Sequence, residues 1–148
     1  EKARTLGLDV AIVNAGGDFA DLVKRQVRGD GVDVVLDLIG GEALAGNLAV
    51  LASRGRLVVV GLLSGSKAEI DLGALLSGRI TMVGTMLRGR PLEEKIAVVR
   101  LFERQVVPWL ERGTVKPVVD SIFAIDDVRE AYARVASNEG FGKVVVRL

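Results

Sequence analysis

"VDVVLDLIGG", Val32 to Gly41, is the stretch on which the fold turns. Its apolar residues run on rather than alternate, the pattern of a parallel strand covered on both faces. An aspartate, Asp37, stands near its carboxyl end, and Gly40 and Gly41 follow at once.

Outward from this strand the same rhythm repeats. Upstream, "EKARTLG" reads as the last turns of a helix closed by Gly7. Residues 11–14 read as a short strand. Residues 18–28 have helical spacing, with Phe19, Leu22, Val23 and Val27 on one side. Downstream, residues 42–52 read as a helix rich in small residues, 56–62 as the next strand, 71–76 as a short helix and Ile80 to Leu87 as a further strand. A long helix then opens at Pro91, with Glu93 and Glu94 well placed for the macrodipole. Pro108 is expected to kink it and Gly113 to end it. Residues 115–125 are extended, Asp127 and Glu130 spell a capping box for a helix through Ala136, and residues 143–148 close the chain as a strand. Near-continuous apolar strands separated by helices predict an α/β fold, a doubly wound and mostly parallel sheet.

Composition narrows what such a fold can do. A chain of 148 residues fits one domain, and an apolar share of 49% with 4% aromatics predicts an aliphatic core. The net charge is +1, and the signs are interspersed, which argues against nucleic acid or an anionic membrane as partner. The sequence contains neither cysteine nor histidine. Disulfides and thiolate chemistry are therefore excluded, and the commonest metal ligand and general base are missing. No apolar run reaches the roughly 18 residues of a membrane span, so a soluble, cytoplasmic protein is expected.

In open α/β sheets, ligands bind outside the carboxyl ends of the strands. Three successive strands carry glycine there: Gly40 and Gly41, then Gly61, then Gly84. Any one of them can simply make a tight turn. Together they suggest a long ligand lying across bare main chain. Asp37 reads better as a carboxylate capping the helix from Glu42 onward than as a catalytic group. Several motifs fail on spacing. Gly41 and Gly46 are spaced as in a phosphate-binding loop, but Asn47 and Leu48 stand where lysine and serine or threonine are needed. Ser64 in "GLLSG" does not make a nucleophile elbow, and Tyr132 is followed four residues later by Ala136 rather than lysine. No G-x-G-x-x-G occurs, and Phe102 and Trp109 read as packing residues.

"VDVVLDLIGG", "GRLVVVGLLSG", "ITMVGTMLRGRPLEEK", "VVPWLERGTVKPVVDSIFAIDDVREAYARVAS" and "GKVVVRL", with "LG" near the start, follow in the order and at about the spacing of a known family. The chain resembles the C-terminal half of NAD(P)H:quinone oxidoreductases in the medium-chain, zinc-binding dehydrogenase superfamily. The "IDDVREAY" ending points to the p53-inducible quinone reductase branch.

The resemblance implies that residues 1–148 are the C-terminal part of a Rossmann-like dinucleotide-binding domain lacking its first βαβ unit, with residues 114–124 packing toward an absent catalytic domain. It implies hydride transfer from NADPH to a quinone or related enone, without zinc, by a chain inactive on its own. Gly40 and Gly41 would lie beside the adenosine and ribose. Gly61, Leu62 and Leu63 would face the nicotinamide ribose and ring, and Thr85, Met86 and Leu87 would meet the carboxamide. Gly142 and Lys143 would approach the phosphates or ribose. No catalytic and no metal-binding residue is expected, and Arg88 reads as a solvated charge. A homodimer through Ile80 to Leu87 is implied as well. The alternative is a non-catalytic nucleotide-binding or interaction module.

Overall fold

The structure, a computed structural model, describes residues 2–13 and 18–148. The chain divides into two compact units, Ala3–Arg90 and Pro91–Leu148.

In the first unit, a 3-10 turn over Arg4–Leu6 is closed by Gly7 in the left-handed conformation, as expected of that glycine, though it stands after a single tight turn. Helix α1 (Phe19–Gln26) begins where the Asp18 carboxylate accepts the Ala20 N–H at 2.9 Å. Strand β1 (Val32–Asp37) leads through a 3-10 turn at Gly41–Ala43 into α2 (Leu44–Val50), and β2 (Leu51–Val59) follows directly. Helix α3 (Leu72–Gly78) starts at Asp71, whose carboxylate accepts the N–H groups of Gly73 and Ala74 at 2.8 and 3.2 Å. Strand β3 (Thr81–Gly84) completes a three-stranded parallel sheet in the order β1-β2-β3. Its core is aliphatic, as the composition requires. Leu57 of β2 is wholly buried against Leu48 and Leu51, with Val35, Val59, Leu75 and Ile80 packed around them.

The second unit holds α4 (Leu92–Gln105), α5 (Val107–Glu111), β4 (Val119–Ala124), α6 (Val128–Ala136) and β5 (Lys143–Arg147). Strands β4 and β5 pair in parallel. The α/β class and the parallel strands are as the sequence predicts. Among the described residues the strands form two sheets, of three and of two strands, rather than one.

Several boundaries differ from expectation, each for a local reason. Residues 11–13 are not a strand, and Asn14 lies outside the described residues. A strand needs a ladder partner for its main-chain groups, and none of the strands pairs there. Strand β1 ends at Asp37 rather than Ile39, because Asp37 Oδ1 accepts the N–H groups of Ile39 and Gly40 and bends the chain. Helix α2 ends at Val50, not Ala52. Leu51 is already extended and opposes Val32, and a bulge takes up the residues before Arg56, with Arg54 at φ 65°. The long helix is two helices meeting at Val106, because Pro108 has no N–H to continue the ladder, and Pro91 is the cap rather than the first helical residue. The Asp127 capping box does not form. A 3-10 turn over Ile125–Asp127 enters α6 and leaves Asp127 outside the extended conformation that such a cap needs.

Candidate functional site

The carboxyl ends of β1, β2 and β3 are tied to one another through main chain. Val60 and Gly61 both donate to the Asp37 carbonyl, at 2.7 and 3.2 Å. Leu63 donates to Leu38 at 3.3 Å, Ser64 to Ile39 at 2.8 Å, and Gly41 back to Gly65 at 3.0 Å. The Ser64 hydroxyl adds a clasp: it donates to the Ile39 carbonyl and accepts the Glu42 N–H, each at 3.0 Å. Thr85 donates to Val59 at 3.0 Å, which joins the loop after β3 to the same edge. The turn following it is held by Arg90 Nε, 2.6 Å from the Met86 carbonyl. Gly40, Gly41, Gly61, Leu62, Leu63, Thr85, Met86 and Leu87 therefore share one edge of the first unit.

The glycines there do two different things. A Cβ on Gly61 would stand 2.6 Å from the Leu38 carbonyl oxygen, one on Gly40 would meet Gly65 O at 2.8 Å, and one on Gly41 would meet Lys67 O at 2.8 Å. These three are glycine because two loops lie on each other, and Gly40 also sits at φ 82°. Gly84 differs: a Cβ there would meet nothing within 4 Å. Bare main chain is open at Gly84, and Leu62, Leu63, Met86 and Leu87 in the loops after β2 and β3 have exposed side chains.

Gly142 and Lys143 belong to the second unit. Gly142 has φ 120°, and a Cβ would stand 2.5 Å from Val118 O, while Lys143 donates its N–H to that carbonyl at 2.8 Å. The packing centre of this unit is Asp120. Its carboxylate accepts from Arg134 Nε and Nη2 at 2.9 and 3.1 Å, from the Phe141 N–H at 3.0 Å and from Ser121 Oγ at 3.1 Å. The Arg134 guanidinium, and next the Phe141 N–H, hold this carboxyl well below the usual carboxylate range. Arg88 is exposed, in keeping with a solvated charge.

Asp37 caps its own turn rather than the helix from Glu42, whose N–H is taken by Ser64. Only its Oδ1 is used. Oδ2 is buried without a hydrogen-bond partner, and so is Nδ2 of Asn47 on α2. Both residues wall a groove of about 1030 Å³ with Phe19, Val23, Leu36, Leu38, Ile39 and Gly46. Sequence reasoning considered Ser64 only as a nucleophile and Asn47 only as a failed phosphate-loop position. No spacing rule flags either, since each acts through a contact between separate elements. Among the described residues, no group of three or more His, Cys, Asp or Glu side chains is placed to hold a metal ion. No helix of the described residues is long and apolar enough to cross a membrane.

The sequence matches the family model described as "Zinc-binding dehydrogenase" over residues 6–146. It is 30% identical over 132 residues to "Quinone oxidoreductase-like protein 2" of Rattus norvegicus, covering 89% of this chain and 37% of that protein. The chain thus spans little more than a third of that relative's length. Among solved structures it resembles a putative alcohol dehydrogenase from Sinorhizobium meliloti (TM-score 0.79, 28% identity, covering 99% of this chain and 40% of that one). A mycobacterial protein solved in complex with NADPH shares the fold at TM-score 0.78 and 21% identity, covering 99% of this chain and 44% of that one.

Proposed function

Because the chain belongs to the zinc-binding dehydrogenase family, we propose that it forms the later part of a nicotinamide-cofactor domain, serving a reductase that moves hydride from NADPH to a quinone or related enone. The observation that carries this reading is Gly84. It leaves main chain open at the end of β3, and the loops after β2 and β3 carry four exposed apolar side chains that a flat ring would cover. The quinone oxidoreductase name of the rat relative and the NADPH bound by a fold neighbour support the choice of chemistry.

Bound NADPH would supply the hydride. The chain's own part is positioning and exclusion of water. Leu62 and Leu63 would give the nicotinamide an apolar wall, with the Gly61 main chain behind them. Thr85, Met86 and Leu87 would offer main-chain groups to its carboxamide. Gly40 and Gly41, their Cβ positions already filled by the neighbouring loop, would set the height of the floor under the adenosine and ribose. Gly142 and Lys143 would serve the phosphates or ribose. Residues 114–124 would pack toward the further polypeptide that relatives carry, and Ile80 to Leu87 would join two copies, since all four residues of β3 are exposed. A cytoplasmic location accords with this chemistry.

Titration with NADPH, followed by cofactor fluorescence, tests the reading. The chain should give a saturable enhancement, and Gly84→Val should weaken it about tenfold by filling the open main chain. Absence of saturation by the unaltered chain refutes cofactor binding by these residues. Equal affinity in Gly84→Val removes the observation on which the proposal stands.

A further inference from the structure

We infer that Arg54, Arg56 and Arg79 form a binding site for a small free phosphoryl anion of pyrophosphate type. The site lies toward the amino ends of β2 and β3, away from the carboxyl ends proposed for the cofactor, and the inference is independent of the cofactor reading. Its first support is placement. Arg79 Nη2 donates to Ser53 Oγ at 2.7 Å, which sets this guanidinium against the bulge that carries Arg54. Arg56 opens the regular part of β2 opposite Thr81, two residues beyond Arg79. All three arginines are exposed, and none has an ion-pair partner among the described residues. Asp33, an acid of the adjoining strand, stands next to Val34, the residue opposite Arg56, and so lies on the other face of the sheet.

The second support is the backbone. Arg54 and Arg79 hold φ at 65° and 51°, the left-handed region in which a Cβ is unfavourable. Asn138 is the only other described non-glycine residue there. Glycine would relieve both positions, and it stands immediately beside each, as Gly55 and Gly78. Side chains kept against such strain point to work done by the side chains. Arg79 follows α3, where a cation complements the helix dipole. Yet the hydrogen bond its side chain makes goes to Ser53, in the neighbouring bulge, and not to a carbonyl of α3. A guanidinium offers several N–H donors in a planar fork, so Arg79 has donors left for a ligand. That fork matches phosphoryl oxygens in pairs. Three cations with no carboxylate between them suit an anion of more than one charge, and pyrophosphate is long enough to meet more than one guanidinium. A nucleic acid suits the chain less, since its net charge is only +1 with the signs interspersed.

The test titrates the whole chain with inorganic pyrophosphate and reads the amide signals of residues 53–56 and 78–80 in ¹⁵N spectra. These signals should shift saturably, and sodium chloride at matched ionic strength should leave them in place. Arg54→Gly and Arg79→Gly should each weaken binding at least about tenfold. Arg79→Lys keeps the charge and loses the fork, so it should weaken binding by a smaller factor. Arg54→Gly should also leave the urea midpoint of the first unit unchanged or raise it, which loss of a merely structural arginine would not do. No saturable shift with pyrophosphate overturns the inference. Equal shifts with chloride overturn it too, because they would show screening alone. A response to vesicles of anionic phospholipid, with none to pyrophosphate, would assign the arginines to a membrane surface and overturn it. A lowered midpoint in Arg54→Gly would show that arginine is kept there for the fold, and would likewise overturn it.

Discussion

Replacing Gly61 by alanine places a methyl carbon 2.6 Å from the Leu38 carbonyl oxygen, far inside contact distance. The obstacle is main chain and cannot rotate aside. It is fixed by the Leu63 N–H donating to that same oxygen at 3.3 Å and by Gly61 itself donating to Asp37 at 3.2 Å. Relief requires the loop after β2 to lift from the loop after β1. Overpacking of this kind costs about 1–3 kcal/mol. Gly84→Ala supplies the control, because its methyl meets nothing within 4 Å and its backbone is not left-handed. Removing glycine's freedom in the unfolded chain there should be neutral or stabilising by up to about 1 kcal/mol. Urea denaturation, followed through the amide signals of Leu57 and Val58 in the first unit, measures the difference. With a slope of about 1–3 kcal/mol per molar, Gly61→Ala should lower the midpoint by about 1 M while Gly84→Ala leaves it in place or raises it. If both variants unfold together at the midpoint of the unaltered chain, the division of these glycines into loop-packing and open positions is wrong.

Leu57→Ala should destabilise the first unit by about 2–5 kcal/mol in the same assay, since Leu57 is wholly buried at the centre of a small aliphatic cluster. Ser64→Ala should cost about 0.5–1.5 kcal/mol and speed hydrogen exchange at the Glu42 amide, whose N–H loses its acceptor. Asp120 gives a pH signature. Its folded pKa lies below the ordinary 3.8, so its stabilisation is complete above that value and is lost as pH falls below it. Asp120→Asn should lower the urea midpoint of the second unit at pH 7 and shrink the further drop between pH 4 and pH 2, and an unchanged drop would refute the assignment.

What the sequence reveals of the fold is what periodicity and local capping encode. Asp18 and Asp71 sit where a helix must begin, and their carboxylates do accept the first free N–H groups. Gly7 ends a turn for the reason glycine usually does. Asp127 shows the limit: the spacing of a capping box is present, but a preceding 3-10 turn sets the backbone angles and the bond is not made. The Pro108 break was legible as a perturbation, though not as a complete division at Val106. At the strand ends, sequence could place glycines at one edge, but not separate those under a neighbouring loop from the one facing open space. That distinction lies in contacts between loops more than twenty residues apart, such as Gly41 with Gly65. The orphaned atoms of Asp37 and Asn47 were illegible for the same reason.

One mismatch between sequence and burial remains at β1. The run from Val32 to Ile39 encodes a strand covered on both faces, yet Val34 and Leu36 are 62% and 63% exposed. Exposed apolar residues on a strand edge template unwanted pairing, and proteins that keep such an edge free usually guard it with lysine, proline or a bulge. The unpaired side of β1 has no lysine or proline to guard it. Its irregularity is the bulge in β2, on the paired side, and the carboxylate of Asp37 is turned into its own turn. Val34 and Leu36, two residues apart, share one face of the strand, while Val35 and the buried Asp37 stand on the other. A free surface would be expected to shed exposed apolar residues of this kind. A surface that is normally covered has reason to keep them.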